Sequence, residues 1–237
     1  MRNTAEYQGG SIACGNESTN IIVSTITFIG IMYFIESYQS AINGYGCNMK
    51  FIGTTYFYEN SALYEGGGAI VSSNSNIMLS GTAYFEGNIV ANKGGGAIAL
   101  ANSKLILKPN LNVFFILNYA IEKGGALYIE DSRCSLGSSA PIECFMTIDG
   151  PSTSTSNISL YFISNSAGIT GSILYGGQLD RCRLYFKSTD TNQSDLCDCQ
   201  VTQVHSYSDN ALEIFLNMSD ITTNHIFKIK ENQNLWR

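Results

Sequence analysis

The sequence is poor in charge. Only 14% of its 237 residues are Asp, Glu, Lys or Arg, against a usual ~25%. Thirteen Lys and Arg against 19 Asp and Glu leave a net charge of −6. Nucleic-acid binding needs clustered cations to displace counterions, so no nucleic acid is expected as a partner. Proline is scarce as well: three prolines beside 23 glycines exclude collagen and proline-rich linkers. The histidines are only His205 and His225, and the closest cysteines, Cys197-Asp198-Cys199, stand too near each other for a zinc knuckle. No metal and no cofactor is therefore expected. A P-loop, a nucleophile elbow and a calcium-binding nonapeptide repeat are all missing, and no catalytic residue is assigned. No segment combines 10–12 residues of helical periodicity with caps. The apolar content of 44% is nonetheless enough for a core, which excludes global disorder.

What the chain does have is a repeat. Four F-x-x-N tetrads occur: Phe57 with Asn60, Phe85 with Asn88, Phe115 with Asn118, and Phe162 with Asn165. Each precedes a cluster of small residues. These are Gly67-Gly68-Ala69-Ile70, Gly95-Gly96-Ala97-Ile98, Gly124-Gly125-Ala126-Leu127, and the decayed Gly171-Ser172-Ile173-Leu174. Gln39-Ser40-Ala41-Ile42 and Gly9-Gly10-Ser11-Ile12 read as older copies of the second half. The phenylalanines are spaced 28, 30 and 47 apart. The long interval reads as one repeat carrying an insertion at about residues 133–156, where two prolines and a Ser/Thr run lie.

Short runs rich in Val, Ile, Tyr, Phe and Thr, such as Ile77-Met78-Leu79 and Leu105-Ile106-Leu107, read as strands. A period near 28 is too short for strand–helix–strand units and suits one coil of a β-solenoid. The fold predicted is therefore all-β: a single-stranded, right-handed parallel β-helix over 1–188, with a C-terminal β segment or the start of a second domain over 189–237. In such a stack equivalent residues lie ~4.8 Å apart. The phenylalanines then form an inward column and the asparagines a ladder at a bend. An Asn amide can donate to the next coil and accept from the previous one, and Asn tolerates a left-handed backbone. The glycine pair supplies a corner with positive φ, or a coil-to-coil approach that a Cβ would block. These repeat residues are read as scaffold.

F-x-x-N paired with GGA[ILV] at this spacing resembles the repeats of chlamydial polymorphic outer membrane proteins, over roughly residues 1–182. Similar repeats occur in large surface proteins of marine invertebrates. There the helix is followed by a segment like Leu174-Tyr175-Gly176-Gly177-Gln178-Leu179-Asp180-Arg181-Cys182 and then by a Cys-x-Cys, here Cys197 and Cys199. The chain is similar to that invertebrate type. Beyond Asp190 the alternating strands are too few for a membrane barrel of the chlamydial kind. The resemblance implies a right-handed parallel β-helix displayed on a cell surface and used for adhesion.

Asn3-Thr4-Ala5 stands before Gly9 as Asn118-Tyr119-Ala120 stands before Gly124, and the matching Phe would fall one residue before Met1. The pattern predicts further coils upstream, so the chain reads as a fragment of a larger protein. Membrane attachment is expected only through regions outside it. Ile21–Ile35 is too short and too polar for a spanning helix and is read as buried strands of a diverged coil, with an internal spanning helix as the alternative.

The seven cysteines fit disulfides in an oxidising compartment, with one thiol left over. Cys134 and Cys144 could close a short loop, and Cys182 could meet Cys197 or Cys199. Reduced thiols in a cytosolic chain are the alternative. Four N-x-[ST] sequons match what 22 Asn and 43 Ser and Thr give by chance, so they carry no weight. Glu65, Lys93, Glu122 and Lys123 precede the glycine clusters and are read as a solvated, mutually paired charge column. The expected function is recognition without catalysis, outside the cell, with a glycan or protein ligand on solvent-facing strand positions and the insertion. The alternatives are a polysaccharide lyase or hydrolase acting near Glu130, Asp131 and Arg133, and a purely structural fragment lacking any patch of exposed aromatics.

Overall fold

A computed structural model describes residues 10–15, 24–64, 66–130, 143–149, 157–169, 174–176, 183–187, 196–197, 212–217 and 230–231. The protein is all-β, and its sheets are mainly parallel. A six-stranded parallel sheet runs, in order, through Ile12–Gly15, Ile42–Tyr45, Ile70–Ser73, Ile98–Ala101, Leu127–Glu130 and Leu174–Gly176. An eleven-stranded sheet is built on the long strands Ser24–Ile35, Cys47–Tyr58 and Asn76–Glu86. A four-stranded sheet of two-residue strands joins Ser61–Ala62, Ile89–Val90, Tyr119–Ala120 and Ser166–Ala167. The chain visits the three sheets in rotation. We call one such passage a circuit; the arrangement is compatible with a β-solenoid.

The register follows the repeat. Phe34, Phe57, Phe85, Phe115 and Phe162 are successive neighbours in the long sheet. Their rings stack 4.8–5.0 Å apart, centroid to centroid, in the core. The column thus contains the four expected phenylalanines and a fifth, Phe34. Beside it lie Asn60, Asn88, Asn118 and Asn165, all buried. The Nδ2 of each of the first three donates to Oδ1 of the next, at 2.8–3.0 Å. Every Nδ2 also donates to the carbonyl of a Phe one circuit earlier. The backbone carries the expected strain one residue before the ladder: Glu59, Leu117 and Ser164 have φ of 52°, 54° and 51°, and Gly87 has 63°. The asparagines themselves stay out of the left-handed region, because the bend is made before the amide enters the core.

Both expectations for the glycine pair hold, one for each glycine. Gly67, Gly95 and Gly124 have φ of 88°, 84° and 65°. Gly68 and Gly96 instead sit where a Cβ would lie 2.4 and 2.1 Å from the carbonyl oxygen of the next circuit's glycine. The older copies also align, Ile12 on Ile42 and Ile42 on Ile70.

Three sequence expectations need correction. The insertion is not one segment: register offsets of 29 at Glu130/Ala101, 41 at Met146/Leu105 and 47 at Ser159/Asn112 show extra residues entering on both sides of strand Glu143–Asp149. Ser24–Ile35 is a strand, but it is not buried. It lies at the sheet's edge and pairs, among the described residues, only with Cys47–Tyr58. Its outward side chains Ile29, Ile31 and Tyr33 are 76%, 70% and 63% exposed. Finally, a disulfide forms where none was assigned, between Cys14 and Cys47, whose Cα atoms are 6.0 Å apart. It ties the first circuit to the second. The side chains of Cys134, Cys144, Cys182, Cys197 and Cys199, and the whole of Gly171, fall outside the described residues.

Cys47 occupies a position otherwise used by serine. The Cys47 N–H donates to Ser75 Oγ, and the Ser75 N–H donates to Ser103 Oγ, at 2.8 and 3.0 Å. This second ladder marks another corner, where Gly46, Asn74 and Asn102 are left-handed. One buried hydroxyl has no such role: Ser72 Oγ lies fully buried with no hydrogen-bond partner. Ser72→Ala removes an unpaired polar group at little loss of volume. It should raise stability by about 1 kcal/mol, a melting point roughly 2–4 °C higher in a domain of this size. A melting point at or below that of the parent would show the hydroxyl to be satisfied.

Candidate functional site

Two outward faces carry aromatic side chains. On the long sheet, the residue before each column phenylalanine points out because alternate side chains of a strand take opposite faces. Tyr33, Tyr56, Tyr84, Phe114 and Tyr161 therefore form an external column, with centroids 4.6–4.9 Å apart and planes within 8° of parallel. Each ring lies on its neighbours, so inner ring faces are already covered. What this column presents to solvent is ring edges and phenol hydroxyls, together with the free face of Tyr33.

The six-stranded sheet is different. Its outward row runs Asn43, Val71, Ala99, Tyr128, Tyr175. The parallel row runs Tyr45, Ser73, Ala101, Glu130. Two successive circuits thus carry small residues between circuits that carry tyrosine. The result is a shallow slot of about 190 Å³, with Val71 and Ala99 in its floor and Tyr45 and Tyr128 as its walls. Three strand spacings separate the Tyr45 strand from the Tyr128 strand, ~14.4 Å at the backbone. Tyr128 stacks on Tyr175 with one face, at 5.8 Å. Its other face looks over Ala99 into the slot. Lys93 and Glu130 complete the lining.

Electrostatics keep these groups in their common forms. Burial, and then the Glu130 carboxylate, push the Tyr128 phenol above its ordinary value, so it stays neutral. Lys123 donates from Nζ to Tyr175 Oη at 3.3 Å and lies 4.7 Å from that ring's centroid. That hydrogen bond raises the lysine's pKa and keeps it charged. Lys123 thus makes a lysine–tyrosine contact besides its attraction to the Glu122 carboxylate. Lys123 and Lys93 do belong to adjacent circuits, since the Lys123 N–H donates to the Lys93 carbonyl at 3.2 Å. Glu65, Asp131 and Arg133 lie outside the described residues.

Among the described residues, no three His, Cys, Asp or Glu side chains converge as a metal site would require. In the same residues no helix is long and apolar enough to cross a membrane. The slot escaped sequence reasoning because its signal is a pair of small outward residues, Val71/Ser73 and Ala99/Ala101, inside runs that already read as strands. The external column was legible in principle as the aromatic before Phe57, Phe85, Phe115 and Phe162. Compared with known proteins, the chain matches no family model, no curated protein and no solved structure.

Proposed function

We propose that the chain is a right-handed parallel β-helix that recognises ligands outside the cell without catalysis, and that the slot between Tyr45 and Tyr128 takes a neutral saccharide ring. The observation carrying this reading is a slot lined by two tyrosines, Tyr45 and Tyr128, around the small residues Val71, Ser73, Ala99 and Ala101. Sugar C–H groups pack on aromatic faces, and the polar rim of Ser73, Lys93 and Glu130 offers both donors and an acceptor. The external column is the poorer platform, because its inner ring faces are consumed by stacking. Its presence still speaks against a purely structural fragment. The Cys14–Cys47 bond fits an oxidising compartment.

Ala99→Phe tests the site. Ala99 is 7% exposed but lies outside the hydrophobic core cluster, in register with Tyr128 and in the lining of the slot, so the new ring takes up the slot's volume. Titration of the whole chain with cellobiose, lactose, maltose and N,N′-diacetylchitobiose, followed by saturation-transfer NMR, should give saturable binding to at least one. Ala99→Phe should weaken it at least about tenfold, 1.4 kcal/mol, while Tyr84→Ala leaves it unchanged. Binding that survives Ala99→Phe sinks the slot as the site. The polysaccharide-cleaving alternative needs a second acid facing Glu130, since hydrolysis uses paired carboxylates ~5–9 Å apart. Among the described residues Glu130 is the only acid lining the slot. Release of reducing ends that Asp131→Ala abolishes would establish that alternative.

A further inference from the structure

The side of the stack that carries the four-stranded sheet exposes apolar side chains. Val90 and Ala120 face inward, so their neighbours Ile89 and Tyr119, paired in that sheet, point out. Leu117, Ile121 and Ile163 lie around them, and all five are 37–57% exposed. Contiguous apolar surface of this kind marks an interaction site. It flanks the stack rather than ending it, so a circuit added at either end leaves it open.

Leu117 is the most telling of the five. It is 57% exposed, and its φ is 54°. The equivalent corner positions of other circuits hold Glu59, Gly87 and Ser164. A bulky apolar side chain is unfavourable both in water and in the left-handed region. The fold by itself favours glycine there, and strain of this sort gathers at binding sites. The charge beside Leu117 is of one sign. Glu86 pairs with Ile116 on one side and with Tyr58 on the other. A hydrogen bond to Glu59, and then the Glu59 charge, push the Tyr58 phenol upward, with burial and the Glu86 and Glu36 carboxylates adding to it. Segments 56–63, 84–91, 114–121 and 161–169, which build this side, contain Glu59, Glu86 and no Lys or Arg. Glu86 lies one strand spacing from Leu117 and Glu59 two, ~4.8 and ~9.6 Å.

We propose that this side of the stack docks a cationic, amphipathic segment of a partner protein, its apolar side chains seated on Leu117, Tyr119 and Ile121 and its lysines or arginines over Glu59 and Glu86. Charge selects that occupant. An anionic membrane is repelled by the same carboxylates, and a second copy presenting this face brings acids and no cation. The surface is separate from the slot, which lies on the six-stranded sheet, and does not rest on what the slot binds.

A fluorescein-labelled amphipathic peptide of leucine and lysine, titrated with the full chain at physiological ionic strength, should bind saturably below about 100 µM. Its leucine–glutamate counterpart should not bind. Leu117→Gly should weaken binding at least about fivefold, while the melting point stays level or rises, because Gly87 already takes the same corner. Glu86→Gln should weaken it at least about threefold. Asp149→Asn removes an equal charge from another strand and should change it less than about 1.5-fold. Absence of binding by the lysine peptide overturns the proposal. So does binding that Leu117→Gly leaves intact, or an equal loss in Glu86→Gln and Asp149→Asn. A melting point several degrees lower in Leu117→Gly makes the leucine scaffold and overturns it too.

Discussion

Asn88→Ala should lower the stability of the protein by about 3–5 kcal/mol, because it orphans a set of buried groups rather than merely deleting a contact. Asn88 Oδ1 accepts from both the backbone N–H and the Nδ2 of Asn60. Its Nδ2 donates to the Phe57 carbonyl and to Asn118 Oδ1. Alanine leaves two donors of the preceding circuit facing apolar surroundings, with no path for water to a fully buried site. For a domain of this size that loss corresponds to a melting point roughly 10 °C lower. Asn48→Ala is the matched control. Asn48 Oδ1 also accepts a backbone N–H, from Asn76 at 3.1 Å, but on the half-exposed outer face. Water replaces the lost bond there, and the cost should stay below about 1 kcal/mol. Thermal melts of the two variants decide the matter: equal costs would mean that the ladder is decoration on a stack held by its phenylalanines.

Gly96→Ala is expected to be still more damaging. The added Cβ would lie 2.1 Å from the Gly125 carbonyl oxygen and 2.6 Å from the Tyr119 nitrogen. Both obstacles are backbone, and the Tyr119 N–H is held by the Asn88 carbonyl, so no side chain can swing aside. The circuits must separate locally, which breaks sheet bonds on both sides. A loss exceeding about 4 kcal/mol places this among the exceptional single substitutions, and little folded protein should be recovered at 37 °C. Gly30→Ala makes the informative comparison. Gly30 also has positive φ, yet nothing lies within 4 Å of its would-be Cβ, because it occupies the edge strand. Its cost is the left-handed backbone alone, about 1–2 kcal/mol. If Gly96→Ala melts no lower than Gly30→Ala, close approach between circuits is not what selects glycine there.

These contrasts show which parts of the fold were legible. Large or conformationally unique residues repeat visibly: Phe fills a column that only an aromatic fills, buried Asn can donate and accept within one amide, and Gly alone tolerates a corner or a contact without Cβ. Serine announces nothing comparable. The ladder of Ser75 and Ser103 uses hydroxyls that are equally at home in loops, and Cys47 hides its membership by being a different residue. Phe34 and Ser37 were missed for the same reason. Ser37 takes the ladder position, and its N–H donates to Asn60 Oδ1 at 3.0 Å, but the F-x-x-S spelling breaks the pattern. The exposure of Ser24–Ile35 was illegible because hydrophobicity reports what a strand would prefer to touch, whereas a sheet's edge is decided by which strands are present. The slot depends on the absence of side-chain bulk, and pattern reading is least sensitive to absences.

The asparagine ladder has a further physical consequence. From Asn60 through Asn165 every side-chain carbonyl points to the circuit before it and every linking N–H to the circuit after it. Backbone dipoles alternate along a strand and largely cancel in a sheet, whereas these amide dipoles all add, as peptide dipoles do in an α-helix. The stack is electrically polar along its axis: the Ser37 end carries the negative pole and the Asn165 end the positive one. Charges placed near the two ends will therefore differ in their effect on stability, with carboxylates favoured beyond Asn165 and ammonium groups favoured before Ser37.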